Sequence, residues 1–574
     1  MIQIILMILI FIALVIPMGR YLYRIADNKK TFADPVFNRV DNVIYKICGI
    51  DRKDMSWKKY FAYLLLTNAV MVLIGYIFLR LQGLLFFNPN DINGMSSSLS
   101  FNTVISFMTN TNLQHYYGES GLSYLSQMIV ITMMMFTSAA TGYAACMAMA
   151  RGFCGKQMGN YFVDMVRVIT RVLIPLAMIV GIVLISQGVP QTLSPNATVE
   201  TIEGKNQDIA LGPVASLESI KHLGTNGGGF FGSNSSTPFE NPNVFTNMLE
   251  MFSMMILPGA CVIAFGLMFY YKKREQNKNP ETSKQKKPLL GGEGRTIFIA
   301  MGIIFIIGLF ALYFSEKAGN PVLDNLGINQ SAGSYEGKET RFGIAQSSMF
   351  SAVTTSFTTG SVDNMHDTLT PLGGMITLLN MMLNTVFGGI GTGLMNMLLY
   401  VLLAVFICGL MIGRTPEYLG KKIESKEIKL AVLCIILHPL LILGFSSIAV
   451  ATNAGLSGIT NPGYHGLSQV LYEFASSAAN NGSGFEGLND NTLFWNITTG
   501  LVMFFGRYLT IALQLAIANS MLSKNTVNET VGTLKTATVP FGVITAVVVL
   551  IFGALTFFPA ISLGPVAEHL TLWG

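Results

Sequence analysis

Charge is scarce in this chain. Asp, Glu, Lys and Arg make up 12% of its 574 residues, about half the share usual in a soluble globular domain. A soluble chain of this length would divide into several units with charged surfaces. Most soluble enzymes are therefore excluded, as is any nucleic-acid binder that works through a basic face. Cysteine is sparse too: six residues, scattered, with no Cys-x-x-Cys pair. That excludes a disulfide framework and a zinc site, and the cysteines read as small packing residues. There is no Gly-x-x-x-x-Gly-Lys-Ser/Thr loop, no Asp-Lys-Thr-Gly-Thr phosphorylation motif and no soluble stretch long enough for a nucleotide domain. No direct ATP binding is expected. No His-Glu-x-x-His run is present either, which leaves an intramembrane hydrolase without a catalytic pair.

What is abundant is apolar: 51% of residues, with a mean hydropathy of +0.51. A helical span needs about 20 mostly apolar residues, and ten such stretches are predicted: 2–19, 60–80, 121–149, 168–188, 244–271, 296–315, 372–413, 430–451, 494–519 and 537–560. The first lacks a basic lead and a small-residue cleavage site, so it reads as a retained anchor in the bilayer. The segments 20–59, 151–167, 272–295, 414–429 and 520–536 hold 28 of the 36 Lys and Arg residues. The alternate loops hold only Lys205, Lys221, Lys317, Lys338 and Arg341. By the positive-inside rule the basic set is cytoplasmic and both termini lie outside, as an even number of spans requires. Segment 272–295 reads as a solvated cytoplasmic loop.

Four outer loops carry a short amphipathic stretch that ends in a polar, Gly- or Asn-rich turn, at 98–114, 214–231, 344–362 and 469–485. Aligned on Asn112, Gly227, Gly360 and Gly482, they are 115, 133 and 122 residues apart, which marks duplicated units. The expected fold is an all-α polytopic membrane protein with a fourfold pseudo-repeat of span, pore helix, filter loop and span, of the K⁺ channel-like superfamily. Its parts are 1–59 (first span and cytoplasmic loop), 60–150 (repeat 1), 151–295 (repeat 2 with a basic loop), 296–429 (repeat 3 with a broken helix), 430–536 (repeat 4) and 537–574 (last span). Irregular backbone at membrane depth is tolerated only where it lines a watery cavity or is buried in protein. Four such loops around one axis can replace the hydration shell of a monovalent cation with carbonyl oxygens. Aiming successive carbonyls inward calls for positive φ, which Gly and then Asn accept most readily. The turns carry no charge, which favours a dehydrated K⁺ first and Na⁺ second. The candidate ligands are Asn110, Thr111, Asn112 and Gln114; Thr225, Asn226, Gly227 and Gly228; Thr358, Thr359, Gly360 and Ser361; and Asn480, Asn481, Gly482 and Ser483. K⁺ is therefore the expected ion, and no covalent cofactor is expected.

Two further features concern the pore below. Gly388, Gly389, Gly391 and Gly393 interrupt the seventh apolar stretch, which is too long for one straight span. Arg507 lies midway along the ninth, where an unpaired guanidinium costs several kcal/mol. Together they read as a gate. His115 and His366 read as hydrogen-bonding groups at the outer mouth rather than pH sensors.

These residues resemble the KdpA family, the potassium-binding subunits of bacterial Kdp potassium-transporting P-type ATPases. The resemblance rests on Thr109-Asn110-Thr111-Asn112-Leu113-Gln114, Thr225-Asn226-Gly227-Gly228-Gly229-Phe230-Phe231, Pro238-Phe239-Glu240-Asn241-Pro242, Met365-His366-Asp367, Phe387-Gly388-Gly389-Ile390-Gly391-Thr392-Gly393, Gly413-Arg414-Thr415-Pro416-Glu417-Tyr418-Leu419-Gly420 and Asn480-Asn481-Gly482-Ser483. It implies a non-hydrolytic subunit in the bacterial cytoplasmic membrane. That subunit selects K⁺ and passes it to a separate P-type ATPase subunit, and small accessory subunits complete the complex. Members often carry Cys where Thr359 stands and Glu where Asn384 stands, and Asp363 adds an acid near the mouth. The alternative is a Trk-, Ktr- or HKT-type transporter. Those share the repeat but usually lack the flanking first and last spans.

Overall fold

The computed structural model describes residues 2–276, 289–527 and 533–573. The centre of the predicted basic loop, 277–288, lies outside the described residues, as does 528–532. Among the described residues, ten helices are long and apolar enough to cross a membrane: Ile2–Ala26, Trp57–Leu84, Tyr124–Phe153, Tyr161–Ser186, Val244–Glu275, Gly292–Asn325, Thr392–Ile412, Ser425–Ala451, Leu493–Leu522 and Val539–Trp573. All ten predicted stretches are represented. Most helices run a few residues past the apolar stretch, because the backbone ladder continues into polar flanks. Two antiparallel ribbons, Ala197–Glu200 with Asn206–Ile209 and Glu417–Tyr418 with Lys421–Lys422, are the strands among the described residues.

Position in the bundle follows composition. The fifth span, Val244–Glu275, is almost wholly enclosed, whereas the second and eighth present most of their surface outward. The third span carries Ser138, Ala139, Ala140, Gly142, Ala144 and Ala145, all buried. Small residues let backbones approach, which is what packs helices where lipid offers no hydrophobic driving force. A Cβ at Gly152 would meet Ala518 O of the ninth span at 2.7 Å. The basic segments meet on one face. Arg151 donates to Ala26 O (3.0 Å), Asn160 to Lys53 O (3.0 Å) and Lys421 to Met521 O (2.7 Å). The four turns occupy the other.

The seventh apolar stretch is two helices. Pro371–Leu383 ends at Asn384, which is left-handed (φ 46°), and Thr392–Ile412 begins after Gly391, also left-handed (φ 83°). Phe387 and Gly388 between them have positive φ as well. The helix break expected from the glycines is therefore present, and it spans 384–391; Gly393 falls outside it, in the first turn of the helix Thr392–Ile412.

Candidate ion filter and gate

Each turn follows a short helix: Ser97–Met108, Val214–Leu223, Gly343–Ser356 and Tyr464–Ala479. All four end alike. Asn110, Thr225, Thr358 and Asn480 take left-handed backbone, with φ of 63°, 50°, 49° and 56°. The next residue then donates five residues back: Thr111 N to Ser106 O (2.9 Å), Asn226 N to Lys221 O (2.8 Å), Thr359 N to Thr354 O (2.8 Å) and Asn481 N to Ser476 O (2.9 Å). This is a Schellman ending made four times. Its left-handed position lies two residues before the aligned Asn/Gly position. Two of the four residues there are threonines, and a β-branched side chain in that region is strained. Sequence reasoning placed the positive φ later because threonine is a poor candidate for it.

At the aligned positions themselves, Asn112, Gly360 and Gly482 have φ of 61°, 94° and 108°. Gly227 is the exception to the expectation, since it is not among the left-handed residues. Glycine is required there by contact instead: a Cβ would lie 2.5 Å from Thr359 O and 2.6 Å from Gly360 Cα. The same relation runs round the ring. A Cβ on Gly360 would strike Asn481 O, and one on Gly482 would strike Thr111 O. One on Gly228 would sit 3.2 Å from Asn112 O. Each loop therefore presses its backbone on the next, in the order one, two, three, four and back to one.

Side chains lock this ring. Asn110 Nδ2 donates to Thr225 O (2.8 Å), and Asn480 Nδ2 to Thr111 Oγ1 (3.0 Å). Asn481 Nδ2 donates to Thr354 O (2.9 Å). Ser361 Oγ meets His222 Nε2 (2.9 Å) and donates to Asn234 Oδ1 (3.1 Å). Gln114 is spent on the second loop: its Nε2 donates to Gly229 O (3.0 Å) and its Oε1 accepts from Gly229 N (2.9 Å). Asn226 braces against Met135 O (3.2 Å), and Ser483 against Asn481 Oδ1. The backbone carbonyls of Thr111, Asn226, Thr359 and Asn481 accept no hydrogen bond among the described residues. All four residues are fully buried. The side chains of Asn112, Thr358 and Thr359 are likewise buried and unpartnered. Buried polar groups are almost always satisfied. Uncharged oxygens left over at the same position of all four loops are what a dehydrated monovalent cation needs.

The broken seventh span lies directly under this ring. Ile390 N donates to Thr225 Oγ1 (3.1 Å) and Gly388 N to Ser356 O (3.1 Å). A Cβ at Gly389 would be 3.2 Å from Thr225 Oγ1. Gly388 and Gly393 pack backbone to backbone, with the Gly388 Cβ position 2.5 Å from Gly393 Cα, and Gly391 rests on Cys146. Arg507 is buried in a π-turn, Phe505–Leu509, and Nη1 donates to Thr392 Oγ1 at 2.8 Å. Arg507 and Asn384 both line a cavity of about 50 Å³ between the break and spans eight to ten, with His438 and Gln514. No carboxylate pairs with Arg507 among the described residues, and Asn384 donates to Ala479 O (3.5 Å). The sequence pairing of the glycine break with Arg507 is therefore a physical contact.

The family model for the potassium-transporting ATPase A subunit, KdpA, matches residues 5–570. This chain belongs to the KdpA family. It is 54% identical over 573 residues to the potassium-transporting ATPase potassium-binding subunit of Clostridium acetobutylicum, covering 99% of each chain. It is 53% identical over 567 residues to the protein of that description from Geobacillus kaustophilus, covering 98% of each. Among solved structures, the potassium transporter TrkH of Vibrio parahaemolyticus superposes with a TM-score of 0.48 at 13% identity, covering 78% of this chain and 85% of that one.

Several groups around these four loops escaped the sequence reading. Lys221 Nζ is buried between Glu218 Oε2 (3.0 Å) and Glu240 Oε2 (2.8 Å), and Glu240 Oε1 accepts from Phe231 N (2.7 Å). His222 Nε2 is 3.3 Å from Glu250 Oε2. The signal was there: three ionisable residues within one short pore helix, followed by the Glu240 motif. Breaking such a buried pair leaves an uncompensated charge, so it holds the loops behind it in one arrangement. Asp363 is not an acid of the open mouth. It is fully buried against Asn247 Nδ2 (3.1 Å), and burial pushes its carboxyl well above the usual carboxylate range. The two histidines diverge. His115 bonds Asn496 Oδ1 (2.7 Å) and Glu473 Oε1 (3.1 Å). Burial works against its charge, but Asp490 and Glu473 outweigh that and raise it to about 9. His366 bonds Tyr472 OH (2.8 Å), and burial, helped by Lys338, lowers it to about 3.

Proposed function

We propose that the chain is the K⁺-selecting subunit of an ATP-driven uptake complex. K⁺ is held by the four loops, passes below them and is handed to a separate P-type ATPase subunit. Small accessory subunits complete the assembly. The observation that carries this reading is the set of four buried, unpaired carbonyls at one position of each loop, Thr111, Asn226, Thr359 and Asn481. That both relatives are potassium-binding subunits of potassium-transporting ATPases supports it. Within the candidate set, these carbonyls and those of Asn112, Gly360 and Gly482 are the ligands. Asn110, Gln114, Asn480 and Ser361 brace them. Thr225 and Thr358 give the strained turns, and Gly227 and Gly228 the clearance. K⁺ is substrate here, and ATP is hydrolysed on the partner.

The break at 384–391 and Arg507 form the barrier beneath. A filter that conducts the pumped ion cannot hold a gradient alone. A positive charge at the break repels a cation below the filter while its donors pin Thr392. The chain sits in the bacterial cytoplasmic membrane with both termini outside, since the basic face is retained in the cytoplasm.

Thermal unfolding of the detergent-solubilised chain tests the reading. A ligand present at 100 times its dissociation constant stabilises by about 2.7 kcal/mol. K⁺ is expected to raise the melting temperature, and Na⁺ at equal concentration is not. Equal shifts for the two ions, or none for K⁺, would refute it.

A further inference from the structure

The helix Asp34–Ile47, on the face opposite the filter, is amphipathic and turned the opposite way from a core helix. Its polar side packs on the protein. Arg171 of the fourth span donates to Asp34 Oδ1 (3.0 Å) and Asn38 Oδ1 (2.7 Å) and pairs with Asp41. Thr170 Oγ1 also donates to Asp41 (3.0 Å), and Tyr45 is buried. Its apolar side is exposed: Val36, Val40, Val43 and Ile47, with Phe32 just before the helix. That spacing of four, three and four is a single helical stripe. Arg39 and Lys46 flank the stripe and are exposed.

Depth and continuity say what this stripe meets. Arg171 lies three residues inside the apolar stretch 168–188, roughly 5 Å at 1.5 Å per residue. A helix that lies in a membrane interface buries its apolar face about 5–10 Å into the headgroup and acyl boundary. Further along the fourth span Ile174, Met178, Ile179, Ile182 and Ile185 are exposed, as lipid-facing residues are. Beside the helix is a cavity of about 350 Å³ lined by Asn38, Asp41, Asn42, Tyr45, Arg52 and Arg167, among others. Arg167 Nε and Nη2 are buried there without a partner among the described residues, and Arg52 stacks on Tyr45 at 4.6 Å. Three guanidiniums (Arg52, Arg167 and Arg171) face two carboxylates (Asp34 and Asp41), so one positive charge remains.

We propose that the helix Asp34–Ile47 lies in the membrane interface and that the cavity beside it, lined by Arg52 and Arg167, binds the headgroup of an anionic phospholipid. The apolar stripe enters the leaflet, Arg39 and Lys46 reach back to its headgroups, and the phosphodiester meets the free guanidinium edge of Arg167.

Two measurements on the full chain test this. In the first, it is released from nanodiscs of phosphatidylcholine with a minor share of phosphatidylglycerol, and retained lipids are counted by native mass spectrometry. The wild type is expected to hold phosphatidylglycerol preferentially. Arg52→Gln and Arg167→Gln should each lower that preference about fivefold, and the exposed Arg39→Gln by less. No preference in the wild type, or an unchanged one in both cavity variants, overturns the headgroup site. In the second, a nitroxide is placed at Val40→Cys in a chain with Cys48→Ser and Cys408→Ser. Relaxation by oxygen but not by a water-soluble nickel chelate, with the chain alone and in its assembled complex, is the expected result. Access to nickel, or loss of access to both on assembly, overturns the interfacial placement, the latter in favour of a protein partner.

Discussion

Replacing Gly227 by alanine probes the ring without backbone strain, because Gly227 alone of the three aligned glycines is not left-handed. The added Cβ would stand 2.5 Å from Thr359 O and 2.6 Å from the Gly360 backbone. Bringing 2.5 Å out to between 3.0 and 3.4 Å, where contacts become tolerable, moves the third loop by 0.5 to 0.9 Å. That movement carries one of the four unpaired carbonyls with it, by more than the size difference between neighbouring alkali cations. Overpacking of this kind costs about 1–3 kcal/mol, and each 1.4 kcal/mol is tenfold in affinity. The expected result is a rise of about tenfold or more in half-saturating K⁺ for ATP hydrolysis by the reconstituted complex. Rejection of Na⁺ and Rb⁺ should weaken with it. Gly482→Ala should be worse, since its Cβ would strike Thr111 O and its φ of 108° adds a conformational cost. Gly302→Ala, in open space, is the control. If Gly227→Ala keeps both wild-type half-saturation and wild-type ion preference, the carbonyl ring is not the selecting element.

Arg507→Met removes the donor to Thr392 Oγ1 and the charge under the break. It should open a passive K⁺ leak in proteoliposomes or lower K⁺-stimulated turnover, and a variant normal in both would dismiss the gate. His115, raised to about 9 against burial by Asp490 and Glu473, stabilises the fold around the first loop fully below its free value near 6.5 and loses that contribution as pH rises through about 9. His465, raised to about 9 by Asp367 and Glu568 against burial, shares the window. The melting temperature should therefore fall between pH 7 and 10, with a shallower slope in His115→Gln and a shallower one again with His465→Gln; the wild-type slope in both variants would contradict the assignment.

The ten spans and the fourfold unit were legible in the sequence because each rests on a local signal. A 20-residue apolar run must span, and a Gly-Asn turn after a short helix must end it. The contact between Arg507 and the glycine break was legible for an energetic reason, since a buried guanidinium needs acceptors, but the acceptor is the Thr392 hydroxyl at the start of the following helix rather than an unwound carbonyl. Less legible were Thr225 and Thr358. Their left-handed backbone contradicts local preference and is held by the Schellman bonds of their own helix ends, Asn226 N to Lys221 O and Thr359 N to Thr354 O, together with the neighbouring loops. Glu218, Lys221 and Glu240 show as isolated charges in the sequence and as one buried group in the fold.

Hydropathy, charge asymmetry and the spacing of the turns by themselves determined a polytopic helical chain with four related pore loops and a broken seventh span, since each depends on residues near one another in the chain. Which loop leans on which was decided only by the tertiary structure. So was the sharing of work within the loops: Gln114 bracing Gly229, Gly227 giving clearance rather than φ, and Asp363 sealed against Asn247. These are contacts between segments more than 100 residues apart. No local pattern encodes them, because their free energy is that of close-packed backbones and satisfied buried groups, which exists only once all four repeats have closed on one axis.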